Sequence, residues 1–206
     1  MKTAKMFAFC AVLLVGLAAW SQDFPRAEVA ADYSYARFHP VSQGTQNLSL
    51  NGGGGALVVN ITSYFGIKMD LQGYGSNTFT WTSPLYGNLR GQGNLFTYLF
   101  GPQIKFRTPK VQPFAQVLLG GAHSNVYANL TRACAGPCTT SGSPAGDGFA
   151  MSIGGGVDIP INHHFQFRPA EFDYLMTRFT NRFNNSSQSN FRYSAGVNFT
   201  FGGSGY

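Results

Sequence analysis

The feature that most limits what this chain can become is a strict alternation in its last strongly patterned segment. Phe191, Tyr193, Ala195, Val197, Phe199 and Phe201 fall on one parity. Arg192, Ser194, Gly196, Asn198 and Thr200 fall on the other. A period of two places successive side chains on opposite faces of an extended strand. One face is therefore oily and the other polar and cationic. An oily face must be taken out of water, and what covers it decides the fold.

The same division recurs upstream. Val29, Ala31, Tyr33 and Tyr35 alternate with Glu28, Ala30, Asp32 and Ser34. Leu57, Val59 and Ile61 oppose Ala56, Val58 and Asn60, while Ile67, Met69 and Leu71 oppose Lys68, Asp70, Gln72 and Tyr74. Phe96, Tyr98, Phe100, Pro102, Ile104 and Phe106 oppose Thr97, Gly101, Gln103, Lys105 and Arg107. Ala115, Val117, Leu119 and Gly121 oppose Gln116, Leu118 and Gly120. Phe149, Met151, Ile153, Val157 and Ile159 oppose Ser152, Gly154, Gly156 and Asp158. Phe165 and Phe167 open a seventh segment against Gln166 and Arg168. No helical periodicity of useful length interrupts this series. With 26 glycines and only 11% charged residues, a helical bundle is excluded, and so is a disordered chain.

Eight segments of this kind predict an all-β protein. The polar face carries Glu28, Asp32, Lys68, Asp70, Lys105, Arg107, Asp158, Arg168 and Arg192. That many charges cannot form the dry core of a soluble sandwich. If the oily face meets lipid, the sheet must close on itself, because an open edge in hydrocarbon leaves backbone groups unpaired at several kcal/mol each. The expectation is an eight-stranded antiparallel up-and-down transmembrane β-barrel. Eight strands leave an interior that side chains can fill. The polar face then lines a plugged, ion-paired lumen, and conductance should rise if Arg168 or Glu171 is neutralised. Inner glycines at 101, 120, 154, 156 and 196 leave room for long side chains and ease curvature.

Parity fails in the seventh segment. Unbroken alternation would turn Glu171 and Asp173 to lipid with Phe165 and Phe167. A β-bulge at Pro169-Ala170 corrects this, since proline lacks a ladder donor and is tolerated at bulges. Glu171 and Asp173 then face inward, toward Arg168, Arg192 or Lys105. The connections at 62–66, 108–113 and 160–164 are short. Those at 39–53, 75–94, 129–147 and 180–190 are long and rich in Gly, Ser and Asn. Short turns at one end and long loops at the other fit an outer-membrane barrel with both termini on the short-turn, periplasmic side. Tyr35, Tyr64, Phe65, Phe79, Trp81, Tyr98, Phe149 and Phe201 suit interfacial girdles.

The N-terminus reads as a targeting segment. Lys2 and Lys5 precede an apolar run over 6–19, too short to span a bilayer as a helix, and Ala19-Trp20-Ser21 precedes a cleavage point before Gln22. Residues 1–21 are expected to be a cleavable signal peptide and 22–206 the barrel domain. Cleavage would leave twelve bases against eight acids, with no basic stripe for nucleic acid. Export also makes Cys134 and Cys138 a loop disulfide rather than a metal site.

On these segments the chain resembles the small eight-stranded outer-membrane barrels of Gram-negative bacteria, the OmpA-barrel-like group. Ser194-x-Gly196-x-x-Phe199-x-Phe201 resembles the C-terminal β-signal. The resemblance implies that the barrel-assembly machinery handles it during insertion, although five residues follow Phe201 here. The stretch Arg168–Phe179 resembles a seventh-strand phrase of acidobacterial type. The expected localisation is integral in the bacterial outer membrane, with outer-membrane lipid and lipopolysaccharide as partners. Arg37, Arg90, Arg132, Arg178 and Arg182 lie in or near the long loops, where lipopolysaccharide phosphates would meet them.

Catalytic and cofactor chemistry finds weak support. Lipid A deacylase barrels place His-x-Ser on one strand face. His123 and Ser124 are adjacent and point apart. His163-His164 has no neighbouring ligand. Asn51-Gly-Gly-Gly-Gly55 lacks the helix and the Lys-Ser/Thr of a phosphate loop and reads as a flexible loop. No cofactor and no metal are expected. The function expected is structural or surface-interacting and non-enzymatic, with a narrow porin-like channel and a lipid A-modifying enzyme as alternatives.

Overall fold

The computed structural model describes residues 24–38, 48–76, 79–83, 87–91, 94–124, 131–132, 146–181 and 184–202. The strands are β1 Ala27–Phe38, β2 Leu48–Asn60, β3 Phe65–Ser76, β4 Phe79–Ser83, β5 Gly87–Gly91, β6 Asn94–Lys105, β7 Gln112–Ser124, β8 Thr131–Arg132, β9 Gly146–Pro160, β10 Phe165–Asn181 and β11 Asn184–Phe201. Eight of them close into a barrel in the order β1-β11-β10-β9-β7-β6-β3-β2. Every ladder is antiparallel and joins strands consecutive around the barrel, from Ala27↔Phe201 to Gln112↔Asp158. Closure leaves no edge, as hydrocarbon requires. β4, β5 and β8 form a separate three-stranded sheet from the connections that follow β3 and β7.

The alternation has the sense expected. Val29, Met69, Phe100, Val117, Ile153, Phe172 and Phe199 are exposed on the outer wall, and Phe100 is 60% exposed. Glu28, Lys68, Asp70, Asp158, Arg168 and Arg192 are buried at 0–1%. A soluble fold would reverse these two sets. The bulge in β10 stands where parity demands it. Arg168 pairs with Gly196 and Glu171 with Ser194, so β10 gains one residue on β11, and the shift recurs against β9. The Tyr193 hydroxyl donates to the Pro169 carbonyl at 2.8 Å and fastens the bulge from outside.

Three boundaries differ from expectation. Asn51–Gly55 is not a loop but the middle of β2, paired on both sides. Its outward Gly53 sits opposite Tyr33, whose hydroxyl donates to Asn51 at 2.7 Å, so an aromatic neighbour supplies the cover that glycine lacks. The expected long connection at 180–190 is almost entirely strand. β10 and β11 run to 17 and 18 residues and pair as far as Asn181↔Asn184. The connection at 75–94 holds the β4–β5 hairpin. The expected signal peptide at 1–21, the Cys134–Cys138 disulfide and Arg182 lie outside the described residues.

Inner glycines answer to curvature. A Cβ on Gly196 would meet the Asp32 Cα at 2.6 Å and the Ala31 carbonyl closer still. Adjacent strands are bent together too tightly there for any side chain.

Candidate functional site

The lumen is the only place where the described residues concentrate buried charge. It is layered along the barrel axis. Nearest the short turns, Lys105 Nζ reaches Glu28 and Asp158, both at 2.7 Å. It also donates to Gln166 at 2.9 Å. Arg107 lies beyond the end of β6, but its Nη2 returns to Glu28 at 2.8 Å. Asn60 and Asn198 donate to the same carboxylate at 3.0 and 2.7 Å.

The bulge sets the next layer, because Arg168 precedes it and Glu171 follows it on the same face. Arg168 spans two carboxylates, with Nε 2.6 Å from Asp158 and Nη1 2.7 Å from Glu171. Its guanidinium also lies 4.4 Å from the centroid of the Phe114 ring. Lys68 reaches Glu171 at 3.0 Å and Gln116 at 2.9 Å. Gln116 in turn donates to Glu171 and Asp173. Arg192 completes the ladder, with Nη1 2.6 Å from Asp70 and Nη2 2.6 Å from Asp173.

Of the eleven charged lumenal residues singled out from sequence, ten take part in ion pairs. The exception is Asp32, half-buried in the wall and not ion-paired among the described residues. It accepts hydrogen bonds from Gln72 at 2.7 Å and Ser34 at 3.1 Å. Gly196 opposite it leaves no room for a longer partner on β11. Lys105 is paired with Glu28 and Asp158 rather than with the acids after the bulge.

Sequence reading missed a third layer. Toward the long connections the lumen is filled by Leu50, Leu95, Leu99, Leu118 and Leu175 with Ala36, Tyr74, Ala122 and Ala150. The leucines are 0–2% exposed. All share the inner parity of their strands, which was the available signal. Gln72, Gln116 and Asn198, which carry hydrogen bonds between the charges, had the same signal.

Ser194 and Gly196 line the lumen, with Ser194 Oγ 2.6 Å from Ser34 Oγ. Phe199 and Phe201 face outward, and Phe199 packs edge-on against Phe165 at 5.2 Å. His123 is on the outer wall, 2.7 Å from Asp147, and β7 continues to Ser124, so the two neighbours point to opposite faces. His163 and His164 occupy the turn before β10, where Thr200 donates to the His163 carbonyl. Among the described residues no group of three His, Cys, Asp or Glu is placed to hold a metal.

A closed eight-stranded barrel with an oily exterior and an ionic interior has clear counterparts. The outer membrane protein beta-barrel domain family matches residues 7–201. The chain belongs to that family. It is an integral outer-membrane barrel, as its exposed apolar wall requires. Solved structures share the fold at low identity. The attachment invasion locus protein Ail of Yersinia pestis is 10% identical, with 86% of this chain and 99% of that chain covered and a TM-score of 0.53. OprG of Pseudomonas aeruginosa is 13% identical over 89% and 100%, with a TM-score of 0.53. Neisserial surface protein A is 17% identical over 85% and 97%, with a TM-score of 0.50. No curated protein matches the sequence.

Proposed function

We propose that this outer-membrane barrel is a non-enzymatic structural and surface-interacting protein. Its lumen is filler that holds the wall, and its long connections meet partners outside the cell. The observation that supports this most directly is the lumen itself. Ion-paired side chains buried at 0–3% occupy the short-turn half, and leucines occupy the other. In this reading no continuous aqueous path passes both fillings. The partners in this reading are outer-membrane lipid and lipopolysaccharide along the wall and rim. The barrel-assembly machinery would engage the last strand during insertion. Exposed Arg37 and Arg178, on the loop side of the outer wall, suit lipopolysaccharide phosphates.

Planar-bilayer recording tests the reading. The plugged barrel should give little or no steady conductance. Steady single-channel steps from the unmodified protein would replace it with the narrow-channel reading. Release of acyl chains from lipid A by the purified barrel would replace it with the enzymatic one.

A further inference from the structure

The lumenal charges are not matched evenly along the axis. In the middle layer acids are in excess, since Lys68, Arg168 and Arg192 face Asp32, Asp70, Glu171 and Asp173, and Asp32 has no cationic partner among the described residues. At the short-turn mouth the imbalance reverses. Arg26, Lys105 and Arg107 stand there against Glu28 and Asp158, and Asp158 is already gripped from above by two nitrogens of Arg168. Glu28 is saturated as well. One of its oxygens takes Arg107 and Asn60, and the other takes Lys105 and Asn198.

Arg107 therefore uses only Nη2 on Glu28. Its Nε and Nη1 are buried without a hydrogen-bond partner, in a side chain 3% exposed. Arg26 immediately precedes β1, where its backbone bonds Phe201 and Asn60, the residue that donates to Glu28, and its Nε is buried and unpartnered. A buried N–H on a cation is costly to leave unpaired, and the cost is larger than for a neutral group. Two guanidinium groups with open donors, together with a local surplus of positive charge, call for an acceptor carrying negative charge.

We propose that the short-turn mouth of the lumen is a binding site for a small oxyanion, held by Arg107 Nε and Nη1 and by Arg26 Nε. Guanidinium groups favour phosphate and carboxylate oxygens through charge-assisted hydrogen bonds. Glu28 acts as the positioning residue: it fixes Arg107 through Nη2 and leaves the other nitrogens to the ligand. The anion enters from the aqueous side, because these side chains lie inside the mouth and not on the lipid-facing wall.

The test titrates inorganic phosphate into the intact barrel in maltoside micelles, at constant ionic strength set with chloride. Calorimetry reads the affinity, and arginine Nε–H resonances report the site. Saturable one-site binding with shifts at Arg26 and Arg107 is expected. Arg26→Gln breaks no ion pair that the structure shows, so the barrel stays folded, and it should weaken binding about tenfold, as loss of one charge-assisted hydrogen bond does. Arg107→Gln should do the same, and Asp32→Asn, deeper in the lumen, should leave affinity unchanged. Absence of saturable binding, or an affinity in either arginine variant equal to that of the unmodified barrel, would overturn the proposal. The titration is repeated in phosphatidylglycerol bilayer discs. Unchanged affinity there assigns the site to a soluble anion. Loss of binding would assign the oxyanion to a lipid headgroup and overturn entry from water.

Discussion

At the scale of single residues, the lumen separates charges that hold the fold from charges that merely complete it. Arg192 is fully buried and, among the described residues, is the only cation that reaches Asp70. Arg192→Leu would leave Asp70 without a counter-charge and Asp173 with only hydrogen bonds. Removing one partner of a buried ion pair costs about 3–5 kcal/mol, because the remaining charge stays desolvated. Urea unfolding of the barrel in micelles should show a loss of that order. Steric limits are as local. Gly196→Val places a Cβ 2.6 Å from the Asp32 Cα, and overpacking of this kind costs about 1–3 kcal/mol. The same unfolding assay checks it, and an unchanged midpoint would show that the β1–β11 ladder can spread. Sequence parity told which of these residues face inward. It could not tell that Asp32 has no ion-pair partner among the described residues, because pairing across a lumen depends on strand stagger and on reach, and neither is written in any one strand.

At the scale of elements, the bulge in β10 is the feature on which the interior depends. Its logic was visible in the sequence because regular alternation would have put Glu171 and Asp173 in lipid. The boundaries of β2 and β11 were less visible for a physical reason. Gly52–Gly55 and Asn184–Asn190 have poor intrinsic strand propensity; pairing on both sides overrides it in the first, and the long ladder with β10 overrides it in the second. The bulge makes two deletions behave differently. Removing Ala170 leaves Arg168 and Glu171 on the same face with a regular ladder, so the barrel should assemble and keep a heat-dependent gel mobility. Removing Phe172 flips the loop-side half of β10, turning Asp173 to lipid and Tyr174 to the lumen. A charge on the lipid face costs up to a few kcal/mol at mid-bilayer, and the vacated ion pairs add to it. This deletion should abolish the fast-migrating unheated form. Equal behaviour of the two deletions would show that the register is set elsewhere.

At the scale of the whole molecule, the apolar layer above the two ionic ones changes what a plug means. An ionic plug alone predicts that neutralising Arg168 or Glu171 opens a path. The leucine layer above it alters that expectation, because an apolar constriction excludes ions by staying dry whatever the charge below it. Arg168→Gln should therefore destabilise the barrel and leave its conductance near the baseline. Leu99→Ser with Leu118→Ser wets the apolar layer, but the ion-pair ladder still blocks the short-turn half, so conductance should remain low in that variant also. Only the combination breaches both barriers, and it should produce discrete steps in planar bilayers, provided that its unheated gel mobility shows a closed barrel. If Arg168→Gln alone gave steps of the same size as the triple variant, the leucines would be packing and not a seal, and the barrier would lie wholly in the charges.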